Sequence, residues 1–269
     1  MMQWWNAFCL AVGDPLLGWS LRLPSDATLL AVAVLSAVVF ALARLATTNQ
    51  DRLRRAAADK KRLKELIRVA KRSGDQDALA RHRATQGQIG LMTLAAEIKP
   101  LLVAMAPIAI LGTWCALRLE FHPPRADEPV EFAVYTPVSA AGALATLVPQ
   151  AGVSCEGWIQ RIEPVTDEGP PHGIAVWQIR AAARDEPYEL TVRFGDKTLE
   201  HELLVGEPVY TPALAQQSET VITELRYRPL KLFGVVPGVA AIYFPPWLVG
   251  YLVLTIPLVF LLRRILKIQ

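Results

Sequence analysis

Five basic side chains, Arg68, Lys71, Arg72, Arg81 and Arg83, stand on either side of Ser73-Gly74-Asp75. Lys and Arg at this density bind phosphate by charge alone, whether it belongs to anionic lipid or to RNA. A solvated face that merely keeps a neighbouring segment oriented uses the same residues, so charge by itself does not choose between them. A second set of polar residues lies inside long apolar runs: Ser36 and Arg44 in the first, Thr113 in the second, Tyr251 and Thr255 in the third. In an apolar helix a small hydroxyl bonds a backbone carbonyl or aids helix packing. An arginine near the end of such a run snorkels toward the interface. Catalysis has less to stand on. His172 and His201 have no Cys or His at metal-ligand spacing, and the chain carries no Gly-rich phosphate loop, nucleophile elbow, zinc motif or solenoid repeat. No catalytic residue, metal or cofactor is expected, and no enzyme.

The elements that must position these residues are set first by hydropathy. Residues 27–45 are uncharged up to Arg44, residues 101–117 throughout, and residues 244–262 again. Each approaches the roughly 20 residues that cross ~30 Å of hydrocarbon as a helix. Trp114, Arg118 and Glu120 at the far end of the second run, and Trp247 with Arg263 and Arg264 at the two ends of the third, have the look of interfacial anchors. A hydrophobic share of 52% and a positive mean hydropathy place the chain among membrane proteins.

Charge then orients the three spans. Arg44 to Lys99 holds fourteen Lys/Arg against six Asp/Glu, whereas Arg118 to Lys231 holds ten against seventeen. Arg44, Arg52, Arg54, Arg55 and Lys99 lie close enough to the runs for the positive-inside rule to act. The expected topology is an N-terminus outside, residues 46–99 in the cytoplasm, an acidic domain outside, and residues 263–269 as a cytoplasmic tail. Residues 1–26 lack a basic n-region and a small-residue cleavage site, so they do not read as a signal peptide. Trp4, Trp5, Phe8, Leu10 and Trp19 suggest an interfacial segment on the outer surface, with Ser25 or Asp26 capping the first span.

Residues 46–99 read as a basic coiled-coil hairpin. Leu53, Lys60, Leu63, Ile67 and Ala70 fall at helical spacings, and Gly74 can supply a left-handed helix end while Asp75 caps the next helix. Leu79, Gln86, Ile89 and Thr93 continue a weaker stripe. Residues 128–229 change texture. Tyr188, Leu190, Val192 and Phe194 alternate with polar residues, Gly195-Asp196-Lys197 makes a turn, and 199–205 follow as a hairpin partner. Similar runs at 131–136, 158–165, 174–181 and 221–227 suggest six or seven strands in an extracytoplasmic β-sandwich. Cys9, Cys115 and Cys155 are an odd count; topology permits a Cys9–Cys155 bridge without arguing for it.

The order span, basic hairpin, span, span resembles the YidC-type insertase superfamily, in particular its small three-span prokaryotic members related to subunit 3 of the endoplasmic reticulum membrane complex. Three stretches carry the likeness: ALARLATTNQDRLRRAAADKKRLKELI, AAEIKPLLVAMAPIAILGTW and FPPWLVGYLVLTIPLVFLLRRILKI. The β-domain departs from the pattern, since it sits between the second and third spans, whereas YidC of Gram-negative bacteria places its outer β-domain between the first two. The low Met content, four in all, is a second departure.

The resemblance implies a membrane insertase or chaperone that passes client segments through a cytoplasm-facing hydrophilic groove in a prokaryotic inner (plasma) membrane. Such a groove would lower the cost of drawing charge through lipid, about 2.5 to 3.5 kcal/mol per residue at the centre. The family's groove arginine maps to Arg44, with Ser36, Thr113, Tyr251 and Thr255 as the other groove candidates. Hydrophobic client proteins and membrane lipids are the implied partners. The ribosome or a targeting factor is the candidate partner of the hairpin tip, and a second subunit is a candidate to complete the groove. Two other classes stay open: an envelope scaffold that binds partners through its β-domain and coiled coil, and a channel. The spans carry no acidic ring, so a cation filter has little basis.

Overall fold

The computed structural model describes residues 2–47, 50–166 and 169–266 and divides the chain into two compact units. The first comprises residues 1–17, 26–114 and 248–269, and the second residues 18–25 and 115–247.

The first unit is helical. Helices α1 (Met2–Leu17), α2 (Ser25–Thr47), α3 (Gln50–Ser73), α4 (Gln76–Arg118) and α5 (Pro246–Ile265) supply it. Three of them, α2, α4 and α5, are long and apolar enough to cross a membrane. At 1.5 Å per residue, α5 spans about 30 Å and α4 about 65 Å. The apolar run 101–117 is therefore only the second half of one continuous helix whose polar first half begins at the 73–75 turn. Pro100 and Pro107 sit within α4, and Arg263 and Arg264 belong to the last turn of α5. The expected tail residue Lys267 lies outside the described residues.

The turn between α3 and α4 is made by three adjacent residues. Gly74 takes φ 73°, Asp75 N–H donates to Ala70 O at 3.2 Å, and Ala78 N–H donates to Asp75 Oδ1 at 2.9 Å. The first bond closes α3 in a Schellman motif, and the second caps α4 at its N-terminus. One residue thus ends one helix and starts the next. Ala70 and Leu79 are buried beside this turn and Leu63 about two turns earlier in α3 than Ala70, whereas every basic residue around the turn is exposed.

Met2–Leu17 form a packed helix. Cys9, Gly13 and Leu17, spaced by four, make its buried stripe. Trp5 Nε1 donates to Thr113 Oγ1 at 3.0 Å, and Trp114 Nε1 donates to Asp14 Oδ1 at 2.8 Å. Trp5 and Gly13 lie about 12 Å apart along α1, yet they meet adjacent residues of α4. Trp114, one of the expected interfacial anchors, is fully buried.

Among its described residues the second unit has ten strands, more than the periodicity alone indicates: β1 (Val130–Pro137), β2 (Leu144–Leu147), β3 (Val153–Cys155), β4 (Ile159–Arg161), β5 (Glu163–Val165), β6 (His172–Ala181), β7 (Arg184–Phe194), β8 (Lys197–Val205), β9 (Leu214–Ser218) and β10 (Val221–Arg226). They pair antiparallel as one sheet of order β3-β6-β1-β10-β9, with β5 also on β6, and another of order β4-β2-β7-β8. Phe132, with Trp177 and Leu225 opposite it, points inward from the first sheet and shares a core with Leu147, Leu190, Val192 and Leu203 of the second. Each such large apolar side chain contributes about 1.5–3 kcal/mol by leaving water. The chain enters and leaves this domain as a pair: His122 N–H donates to Arg228 O at 2.8 Å and Leu230 N–H to Glu120 O at 3.0 Å. Phe121, Tyr210 and Tyr227 pack ring to ring over that pair.

Candidate functional site

Helix α2 is inside out by the standards of a helix in water. Its exposed stripe is Leu30, Val34, Val38 and Leu42, all large and aliphatic, whereas its buried positions, beside Leu29 and Val32, are Thr28, Ala33, Ser36, Ala37, Ala41, Ala43 and Arg44. A helix that faces water shows the opposite arrangement. In hydrocarbon, small and polar residues belong inside, where helices approach closely and polar groups find partners.

Ser36 and Arg44 are 1% and 3% exposed. They lie eight residues apart, about 12 Å along the axis. The Ser36 hydroxyl is enclosed without a hydrogen-bond partner, and so is that of Thr255 on α5. A buried hydroxyl left unpaired costs about 1–3 kcal/mol. Arg44 is held by interactions inside the fold and does not project from its end of the helix as a snorkelling residue does. Tyr251, one turn before Thr255, is half-buried. Thr113 differs from the rest, because its hydroxyl already accepts the Trp5 indole N–H and so fastens α1.

Arg68, Lys71, Arg72, Arg81 and Arg83 are all exposed. Each lies within about 14 Å of Gly74 along its helix axis. Asp75 is occupied as the helix cap, which leaves Asp77 as the acidic neighbour in the same turn. The tip can therefore present several guanidinium and ammonium groups to one polyanionic surface.

The β-domain holds a different polar cluster. His201 on β8 is buried, with Nε2 2.9 Å from Pro212 O and Nδ1 2.7 Å from Thr223 Oγ1 on β10 of the facing sheet. A carbonyl only accepts, so Nε2 carries the proton and Nδ1 accepts from the threonine hydroxyl. Burial lowers the His201 pKa from its ordinary value, opposed by the Pro212 carbonyl and the charge of Glu202. This cluster joins the two sheets. On the outer face of the first sheet, Arg226 bonds Glu131, Glu224 and the Tyr135 hydroxyl, and Tyr135 donates to Glu224 at 2.5 Å.

Among the described residues, no group of three His, Cys, Asp or Glu could hold a metal ion, and all three cysteines are free thiols. Sequence reasoning missed the α1–α4 contact and the His201 bridge. Asp14, the sole charged residue of α1, was the signal for the first; nothing local marked the second. No protein-family model, no curated protein and no solved structure matches the chain.

Proposed function

We propose that this protein is a membrane protein insertase or chaperone, with α2, α4 and α5 crossing a prokaryotic inner membrane and the α3–α4 turn in the cytoplasm. The observation that carries the reading is the inverted α2, whose lipid-compatible exterior encloses Ser36 and Arg44. A buried guanidinium and unpaired hydroxyls on apolar helices suit a place where the polar end of a client segment is stabilised part-way through the bilayer. The exposed basic tip gives that groove a docking element for a ribosome or targeting factor, by charge alone. Hydrophobic clients, lipids and a second subunit are the partners this activity calls for.

The test is reconstitution of the purified chain into liposomes, followed by protease protection of a small single-span client. Protection above that in empty liposomes supports the reading. Protection equal to it, with the protein folded, shifts the account to a scaffold whose β-domain is the working part.

A further inference from the structure

Between Lys231 and Arg263 the chain contains no charged residue, yet α5 begins only at Pro246. The surplus, residues 232–245, is folded and apolar. Leu232 is buried, and Val235 and Tyr243 are 78% and 94% exposed, with Phe233, Val239 and Ile242 also outward. Val239 and Phe244 exchange backbone hydrogen bonds at 2.9 and 3.1 Å and close a short loop over Ala240–Tyr243. A β-carbon on Gly238 would stand 2.6 Å from Phe244 O, so the base of this loop is tight.

Two aromatic residues occupy the left-handed backbone region, Phe233 at φ 52° and Tyr243 at φ 53°. Gly or Asn ordinarily fills such positions, and a bulky residue persists there only when something else requires it. Packing within the domain does not account for Tyr243, because its side chain is almost wholly outside.

We propose that residues 232–245 form a loop that inserts into the interfacial layer of a phospholipid bilayer and seats the β-domain on the membrane. The inference rests on the reading that α5 spans. Tyr243 and Pro246 are three positions apart, so their Cα atoms are at most about 11 Å apart, and each headgroup layer is about 5–8 Å thick. A spanning α5 keeps the loop beside the lipid. Aromatic and aliphatic side chains without charge are what that layer accepts, and Arg228 and Lys231 at the root of the loop suit lipid phosphate.

Spin labels on the full chain in phospholipid nanodiscs test this, in a Cys155→Ser background because Cys9 and Cys115 are buried. Labels are placed by Val235→Cys and Tyr243→Cys in the loop, Phe260→Cys on the exposed side of α5, and Glu219→Cys in an exposed turn of the β-domain. Collisions with oxygen should exceed those with a water-soluble nickel chelate at 235, 243 and 260, with the order reversed at 219. If 260 is lipid-like while 235 and 243 match 219, the loop is not inserted and the span stands. If 260 is aqueous, span and loop fall together. Exclusion of both reagents from 235 and 243 means a protein surface covers the loop, which also overturns the proposal.

Discussion

Trp114 of α4 donates its indole N–H to Asp14 of α1 at 2.8 Å, across one hundred residues of sequence. The bond places the sole charge of α1 on an indole, and the neighbouring Gly13 lets the ring approach the helix closely.

The fit at that point is tight enough to predict a stability effect. A β-carbon on Gly13 would stand 2.2 Å from Trp114 Cδ1. Gly13→Ala should lower stability by about 1–3 kcal/mol through overpacking, despite the better helix propensity of alanine. Thermal unfolding in detergent, followed by tryptophan fluorescence, checks this; an unchanged or raised midpoint would deny the packing of α1 on α4.

His201 makes stability depend on pH. Its folded pKa lies below the ordinary value of 6.5, chiefly through burial. The unfolded chain therefore takes up the proton more readily, and stability rises with pH. The contribution is complete above about pH 6.5 and is lost as pH falls through the folded value. Melting of the full chain between pH 8 and pH 5 should show a steeper loss for the wild type than for His201→Gln.

At the root of the β-domain, Glu120 N–H donates to the Tyr210 hydroxyl at 3.1 Å. Tyr210→Phe keeps the ring stack and leaves that amide unpaired, at a cost of about 1–3 kcal/mol. Limited proteolysis near residues 118–122 should accelerate in the variant, while the strand content measured by circular dichroism stays constant.

Much of this architecture is legible in the sequence, for reasons that name its limits. The apolar helices show themselves by length and lack of charge, and the β7–β8 hairpin by strict alternation around Gly195-Asp196. Strand β3 is three residues, too short for any period to register, and β9 reads Leu-Ala-Gln-Gln-Ser, with no apolar face to announce it. The single run expected at 158–165 is divided into β4 and β5, three residues each and in different sheets. The candidate site is less legible. Burial decides whether Arg44 is a flank residue or an interior one, and burial depends on neighbours that hydropathy does not identify. Thr113 shows the same limit, since its partner Trp5 stands 108 residues away.

Reversing Arg68, Lys71, Arg72 and Arg83 to Glu tests the hairpin tip. Cofractionation of the wild type with ribosomes should strengthen as salt is lowered, and the reversed variant should lose most of it. Equal cofractionation of both proteins at every salt concentration would remove ribosome docking from the account.

The central claim is that Arg44, buried in the helical unit, serves client insertion. Its most direct measurement compares wild type, Arg44→Lys and Arg44→Ala in liposomes, scoring protease protection of a single-span client after tryptophan fluorescence has established that each variant is folded. The account predicts protection above empty liposomes for the wild type, most of it lost in Arg44→Ala and part of it retained in Arg44→Lys, which keeps the charge without the planar fork. Protection by folded Arg44→Ala equal to that by the wild type would contradict it.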